Sequence, residues 1–435
     1  IDRYQRDYIA TWRAALNQLR IKALTEDKPR YVALQAAAAA TSPIAQLIES
    51  IRDETMLTKE KPAAAAPAGG TSPAPAPTTA PKIMAPGGEV AGAAVEAAFR
   101  PYHLLADGAR GQRGLDELLR GLSDIHTALA MLNDPTRSTE GQVKFRESLR
   151  NLQATATRFP DPFKTMIQTS VGAFDNDATG TTVARLNTQL AEQVTRACQQ
   201  AIAGVYPFSR TSDKDMSIQE FQKLFGPSGV IDRFYTANLS QLIDTSKQVW
   251  VWNAANPVGR QMAPAIARDF QRASDIRQAF FPQGAAGFAF AVKNLTVPDG
   301  VENARLEINS GVLSVDRPKP PAPAPFGGLF GSSPPPQPEQ PALPQVVTFQ
   351  WPGPVGLSSA SLTMSPAAPG RAPPPPKTGP WAVFRLLDSA NISRSGDALV
   401  ARFNIGGREA SYQLNVTTLP NPFILPALRE FRCPT

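Results

Sequence analysis

A change of hydrophobic period near Gly284 constrains this chain more than any other feature. Upstream, apolar residues recur every three or four positions; downstream, they alternate. The first pattern lays a stripe on one face of a helix, the second on one face of a strand. Leu115, Leu118, Leu119, Leu122, Ile125, Leu129 and Leu132 form one helical stripe. Val183, Leu186, Leu190, Val194, Ala197, Ala201 and Val205 form another. Helices of this kind bury their stripes against each other. Past Gly284, Phe288, Phe290 and Val292 alternate with small or polar residues, as do Ala304, Leu306 and Ile308, then Val347, Phe349 and Trp351. Gly406-Gly407 supplies the positive φ of a two-residue hairpin turn. That loop sets Leu399 opposite Leu414, Ala401 opposite Tyr412 and Phe403 opposite Ala410, three apolar pairs on one face. The expected fold is α+β and multidomain: N-terminal helical bundle domains followed by a C-terminal β-sandwich.

Proline punctuates this pattern. The 43 prolines in 435 residues lie well above the usual ~5% and cluster, so they mark linkers and long loops. Residues 1–59 read as a small helical unit, with Tyr4, Tyr8, Trp12, Leu16 and Leu19 on one face. Residues 60–90 are an Ala/Pro-rich linker with almost nothing to bury. Residues 91–283 are expected to form a helical bundle domain and 284–435 the sandwich, interrupted by Pro-rich loops at 318–344 and 366–376. Their prolines are of a kind that aromatic grooves take as polyproline ligands, and solvated loops have the same composition. A sharp helix start is written at Ser217: its hydroxyl caps the backbone near Glu220, Glu220 reaches back, and Met216 staples to Phe221.

Several function classes lack material. Forty-four Lys+Arg against 37 Asp+Glu give +7, yet the basic residues form no stripe of the sort that binds nucleic acid. No stretch reaches the roughly 18 to 20 apolar residues of a membrane-spanning helix. The chain opens at Ile1 already in a helical pattern, as expected of an excised soluble fragment with its anchor upstream. Of the two histidines, His126 borders the apolar stripe after Leu122, a packing position, and no metal-ligand spacing accompanies it or His103. No metal or cofactor is expected. No G-x-S-x-G, S-x-x-K, Walker A or G-x-G-x-x-G pattern occurs. Asp213-x-Asp215-x-Ser217 begins like a calcium loop, but Ile218 and Leu224 stand where glycine and a bidentate carboxylate are required, so it is a helix start. A catalytic activity is not expected. Cys198 and Cys433 are too few for a disulfide framework, which leaves one disulfide or two buried thiols.

Six motifs then occur in one order. Tyr206-Pro207-Phe208 is followed by Phe221, Phe225-Gly226-Pro227-Ser228-Gly229, Ile231 and Phe234. Ile276-Arg277-Gln278-Ala279-Phe280-Phe281, Phe349-Gln350-Trp351-Pro352-Gly353 and Gly379-Pro380-Trp381-Ala382-Val383-Phe384-Arg385-Leu386-Leu387-Asp388 come next. Asn421-Pro422-Phe423 and Phe431-Arg432-Cys433-Pro434 close the series. With Tyr8-Ile9-Ala10-Thr11-Trp12 and Ser42-Pro43-Ile44 near the start, the chain resembles the C-terminal region of the IcmF/TssM family over most of its length. The family's transmembrane helices and cytoplasmic nucleotide-binding-like domain have no counterpart in these residues.

The resemblance implies the periplasmic region of an inner-membrane-anchored protein of the Gram-negative type VI secretion system, a scaffold and not an enzyme. It implies binding to a small outer-membrane lipoprotein, TssJ, contact of the missing membrane portion with inner-membrane TssL, and several copies around a secretion channel. A periplasmic setting favours a Cys198–Cys433 disulfide. The lipoprotein surface is expected on the β-domain, at Trp351, Gly353, Asn421, Pro422 and Phe423, where an aromatic sits beside a proline-fixed turn. The competing role for those aromatics is filling the core. Alternative functions are a peptidoglycan-associated or other envelope binding module, and a hydrolase whose site only the fold assembles.

Overall fold

The computed structural model describes residues 1–58, 90–317, 345–356, 358–368, 373–396 and 398–435. The expected linker at 60–90 and the insert at 318–344 lie outside them, apart from Val90, as does the middle of the insert at 366–376. By compactness the chain forms two units, Ile1–Ala184 and Arg185–Thr435.

The first unit is helical: α1 (Asp2–Gln18), α2 (Val32–Ala38), α3 (Pro43–Thr55), α4 (Ala93–Ala106), α5 (Gly114–Asn133), α6 (Ser138–Ala156) and most of α7 (Phe163–Leu190). The α5 stripe read from the sequence is wholly buried, around Phe99, Phe145, Leu152 and Phe174. Residues 1–58 share this core with α4 to α7, so they are not a separate domain. An ionic cap fixes the start of α5. Arg113 pairs with Asp116 at 2.9 Å and with Glu49 of α3 at 2.7 Å. The Arg113 hydrogen bond holds the Asp116 carboxyl well below the usual carboxylate range. His103 is buried with Nε2 2.7 Å from the Thr55 hydroxyl, which itself donates to the Ile51 carbonyl. His126 is half-buried at the edge of its stripe.

The second unit begins inside α7 and runs through a π-turn at Ala191–Thr195 into α8 (Arg196–Ile202). The wider turn delays the helix face by one residue. Burial therefore continues at Thr195 and Cys198, and not at the expected Ala197 and Ala201. Then come α9 (Ile218–Phe225), α10 (Val230–Phe234) with a second π-turn, a ribbon of β1 (Ile243–Asp244) and β2 (Val251–Trp252), α11 (Pro257–Gln261) and α12 (Pro264–Phe280). Ser217 caps α9, its hydroxyl accepting from the Glu220 N–H at 3.2 Å. Glu220 differs from expectation, since its carboxylate meets the Ser217 hydroxyl at 3.3 Å.

After Gly284 the chain builds two antiparallel sheets. Their strands are β3 (Phe288–Thr296), β4 (Asn303–Ile308), β5 (Gly311–Asp316), β6 (Val346–Trp351), β7 (Ser359–Ser365), β8 (Lys377–Thr378), β9 (Asn391–Ser395), β10 (Ala398–Ile405) and β11 (Arg408–Val416). One sheet has the order β6-β3-β11-β10-β9, the other β5-β4-β7-β8. The β10–β11 hairpin pairs Leu399 with Leu414, Ala401 with Tyr412 and Phe403 with Ala410, the expected register, with all six buried. Gly406 and Gly407 turn it at φ 63° and 85°, where a side chain is strained. Short helices, α13 (Ala382–Leu387) and α14 (Pro426–Glu430), complete the unit. The fold class is the expected one, helices followed by a sandwich. The boundary at 283/284, however, marks a change of secondary structure inside one compact unit.

Candidate partner-docking site

Two tryptophans join the helices of the second unit to its sandwich. Trp351 ends β6 and Trp381 precedes α13, and both are fully buried with centroids 4.9 Å apart. Phe221 of α9 meets Trp381 edge-on at 5.1 Å, and Phe280 of α12 meets Trp351 at 5.1 Å. Each indole N–H is satisfied by a carbonyl, Trp351 donating to Pro380 at 2.8 Å and Trp381 to Met216 at 2.7 Å. The apolar bodies pack while no donor is left orphaned.

Around this core runs an ionic seam. Asp215 accepts from the Arg385 Nε at 3.0 Å and from the Trp381 backbone N–H at 3.4 Å. The guanidinium of Arg385 lies 4.1 Å over the ring of Tyr206, and the Tyr206 hydroxyl donates to Asp388 at 2.7 Å. Burial, with Asp388 adding to it, pushes the Tyr206 hydroxyl far up, so it remains a donor at any ordinary pH. Arg210 also pairs with Asp388. Gly379 is required here, since a Cβ would come 2.3 Å from Asp215 Oδ2 and its φ is +93°. Partners separated by 170 residues carry no local signal of their pairing.

Beside the seam lies an open cleft of about 900 Å³. Its floor is the outer face of the four-stranded sheet, with Val312 of β5, Arg305 and Glu307 of β4, Ser359 of β7 and Thr378 of β8. The segment Pro352–Gly356 forms one wall, Ser217–Gln219 at the start of α9 another, and Gly379 and Pro380 also line it. Arg305 and Glu307 pair with each other at 2.5 Å, leaving the cleft without net charge. Val355 is fully exposed and Val312 partly so. An apolar concavity with a self-neutralised ion pair suits an uncharged, apolar projection of another protein.

The residues singled out from sequence divide. Trp351, Pro422 and Phe423 are buried, so their side chains offer no contact surface, a correction to the docking role expected of them. Phe423 packs on Phe290 and Phe384, each at 5.0 Å, where its area is worth more than at a solvated rim. Asn421 is half-exposed, its Oδ1 accepting from the Phe423 N–H at 3.0 Å, and so caps a turn. Gly353 is half-exposed and lines the cleft. Cys198 and Cys433 are bonded with Cα atoms 5.8 Å apart, and the Thr195 hydroxyl donates to the Pro434 carbonyl at 2.5 Å. Val312 and Val355 escaped the sequence reading because exposure is not written in periodicity. The exposed apolar side chain lies four residues past Trp351, in a loop.

Helices leading into an antiparallel sandwich, with an uncharged cleft on the sandwich face and no described helix long and apolar enough to cross a membrane, define an α+β protein with a C2-like terminal domain. The chain belongs to the IcmF family of type VI secretion proteins. The family models match in order: the IcmF-related family, described as intracellular multiplication and human macrophage-killing, over residues 1–56; the type VI secretion protein IcmF helical domain over 181–286; and the type VI secretion protein IcmF C2-like domain over 338–418. The type VI secretion system component TssM1 of Pseudomonas aeruginosa is 25% identical over 99% of this chain, which spans 39% of that relative's length. In fold, the chain is similar to one in a type VI secretion system membrane core complex, with a TM-score of 0.71 at 19% identity over 99% of this chain and 82% of the other. A chain in a type VI membrane complex gives 0.67 at 17% identity, over 99% and 78%.

Proposed function

We propose that this chain is the periplasmic scaffold and docking region of a type VI secretion inner-membrane protein. It spans the periplasm, holds a small outer-membrane lipoprotein of the TssJ kind on its sandwich, and assembles in several copies around the secretion channel. TssL meets the membrane-embedded part of the same protein. The role is binding and spacing, not catalysis. Membership of the family supports that setting. The Cys198–Cys433 bond suits an oxidising compartment such as the periplasm. The observation that carries the docking role is the uncharged cleft over the four-stranded sheet, with exposed valines on its floor (Val312) and wall (Val355).

Calorimetry of the whole chain against the soluble part of the lipoprotein tests it, with Val312→Asp/Val355→Asp as the variant. Charge at the centre of an apolar contact weakens binding by about tenfold or more, while the thermal midpoint stays put because both side chains are exposed. Parent-level affinity in that variant moves the site off the cleft. No binding by the parent overturns the lipoprotein reading.

A further inference from the structure

The four-stranded sheet ends on one side in β5, whose strand partner is β4. In an antiparallel ladder the main-chain groups of alternate residues face the partner strand, and those between them face away. Both ends of the hairpin fix which is which. The register sets Ile308 against Gly311 across the Asn309-Ser310 turn, and the Arg317 N–H donates to the Glu302 carbonyl at 2.8 Å. Gly311, Leu313 and Val315 therefore bond β4, while the N–H and C=O groups of Val312, Ser314 and Asp316 point outward. Among the described residues these outward groups have no hydrogen-bond partner. The strand is nevertheless held straight from its outer face: the Asn303 amide donates to Ser314 Oγ at 2.7 Å and to Asp316 Oδ1 at 2.6 Å. A backbone already ordered costs less to pair.

Open edges are normally guarded, and the other three edges of the two sheets are. β8 is two residues long, begins with Lys377 and follows Pro373 to Pro376, which have no N–H to offer. β9 carries the exposed Arg394. The edge of β6 is stopped at Gln350, whose carbonyl accepts from the Asn309 amide at 2.8 Å. β5 holds no proline, lysine or arginine between Gly311 and Asp316, and its first outward residue, Val312, already belongs to the cleft floor.

We infer that the protein docked in the cleft is held by strand addition, an extended segment of it pairing with the outer edge of β5. The unmet groups specify the occupant, because a row of alternating donors and acceptors at strand spacing is matched by another extended main chain. Its side chains divide by alternation. One set lies beside Val312 at the uncharged cleft, where small or apolar residues fit; the other prolongs the inner layer past Leu313 and Val315, both buried, and is apolar. The inference rests on the reading of the cleft as the lipoprotein site.

Residue-resolved amide exchange of the full chain, with and without the soluble part of the lipoprotein, reads the edge directly. In the complex the Val312 and Ser314 amides slow by about tenfold or more, while Leu313 and Val315, already bonded to β4, keep their rates. Ser314→Pro removes an outward donor at a position where an edge strand tolerates proline, so the thermal midpoint holds and affinity falls by about tenfold. Ser314→Ala, which keeps the main chain, binds like the parent. Exchange needs no substitution and holds as a readout even where the proline variant folds poorly. Unchanged Val312 and Ser314 amides in a complex that does form overturn strand addition and leave lipoprotein docking standing. Amides already slow in the free chain show the edge to be covered by the chain itself, and overturn the inference too. No binding by the parent overturns the lipoprotein reading and this inference with it.

Discussion

Asp215 shows how one residue changes meaning between sequence and structure. In the sequence it belongs to a broken calcium-loop pattern at a helix start; in the fold its carboxylate holds Arg385, and both side chains are largely buried. Removing one partner of a buried pair leaves the other charge desolvated. Asp215→Ala is therefore expected to destabilise the second unit by about 3 kcal/mol or more, read in urea by the fluorescence of the adjacent Trp351 and Trp381. Replacing both partners, Asp215→Leu with Arg385→Met, recovers most of that loss, because no charge is then stranded. Equal stability of Asp215→Ala and the parent would show the seam to be idle. Trp351 and Phe423 teach the converse: an aromatic beside a proline reads equally well as an anchor for a partner or as core, and burial alone separates the two.

At the scale of elements, the last residues of the chain behave as a latch. Phe431 meets Phe225 edge-on at 4.9 Å, Cys433 bonds Cys198, and the Pro434 carbonyl takes the Thr195 hydroxyl at the π-turn. The bond closes a loop with a sequence separation of 235, long enough for the chain-entropy model to assign it up to about 5 kcal/mol. Cys198→Ser/Cys433→Ser is expected to lower the denaturation midpoint of the second unit by a large fraction of its stability, with the first unit's transition unmoved. The π-turn is part of the same device, since it brings Cys198 onto the buried face. A plain α-helical continuation of the stripe would have put Ala197 there, as the periodicity argued.

For the whole molecule, the position of the boundaries decides which fragments can exist. The period changes at Gly284, yet Phe221 and Phe280 on one side of it pack against Trp351 and Trp381 on the other. Residues 284–435 made alone are expected to expose this aromatic core, bind a hydrophobic dye and melt without cooperativity, whereas the intact chain does not. A cooperative transition for that fragment would show the sandwich to be self-sufficient. Lipoprotein binding is accordingly best measured on the intact chain.

The residues by themselves determined whatever is periodic or local. The α5 stripe, the Ser217 cap, the change from helix to strand and the β10–β11 register all follow from spacings of 2 to 4 positions and from two glycines able to take positive φ. The β4–β5 turn at Asn309-Ser310, the β1–β2 ribbon and α13 were not legible, because a short apolar run or an ordinary polar pair looks the same in a strand, a helix or a loop. Tertiary structure alone decided the rest. It chose which aromatics are core, paired Asp215 with Arg385, left Val312, Val355, Val249 and Val251 exposed, and joined helices and sandwich in one unit. The physical reason is that periodicity fixes the face a side chain occupies, while burial and pairing depend on which other face, hundreds of residues away, arrives to cover it.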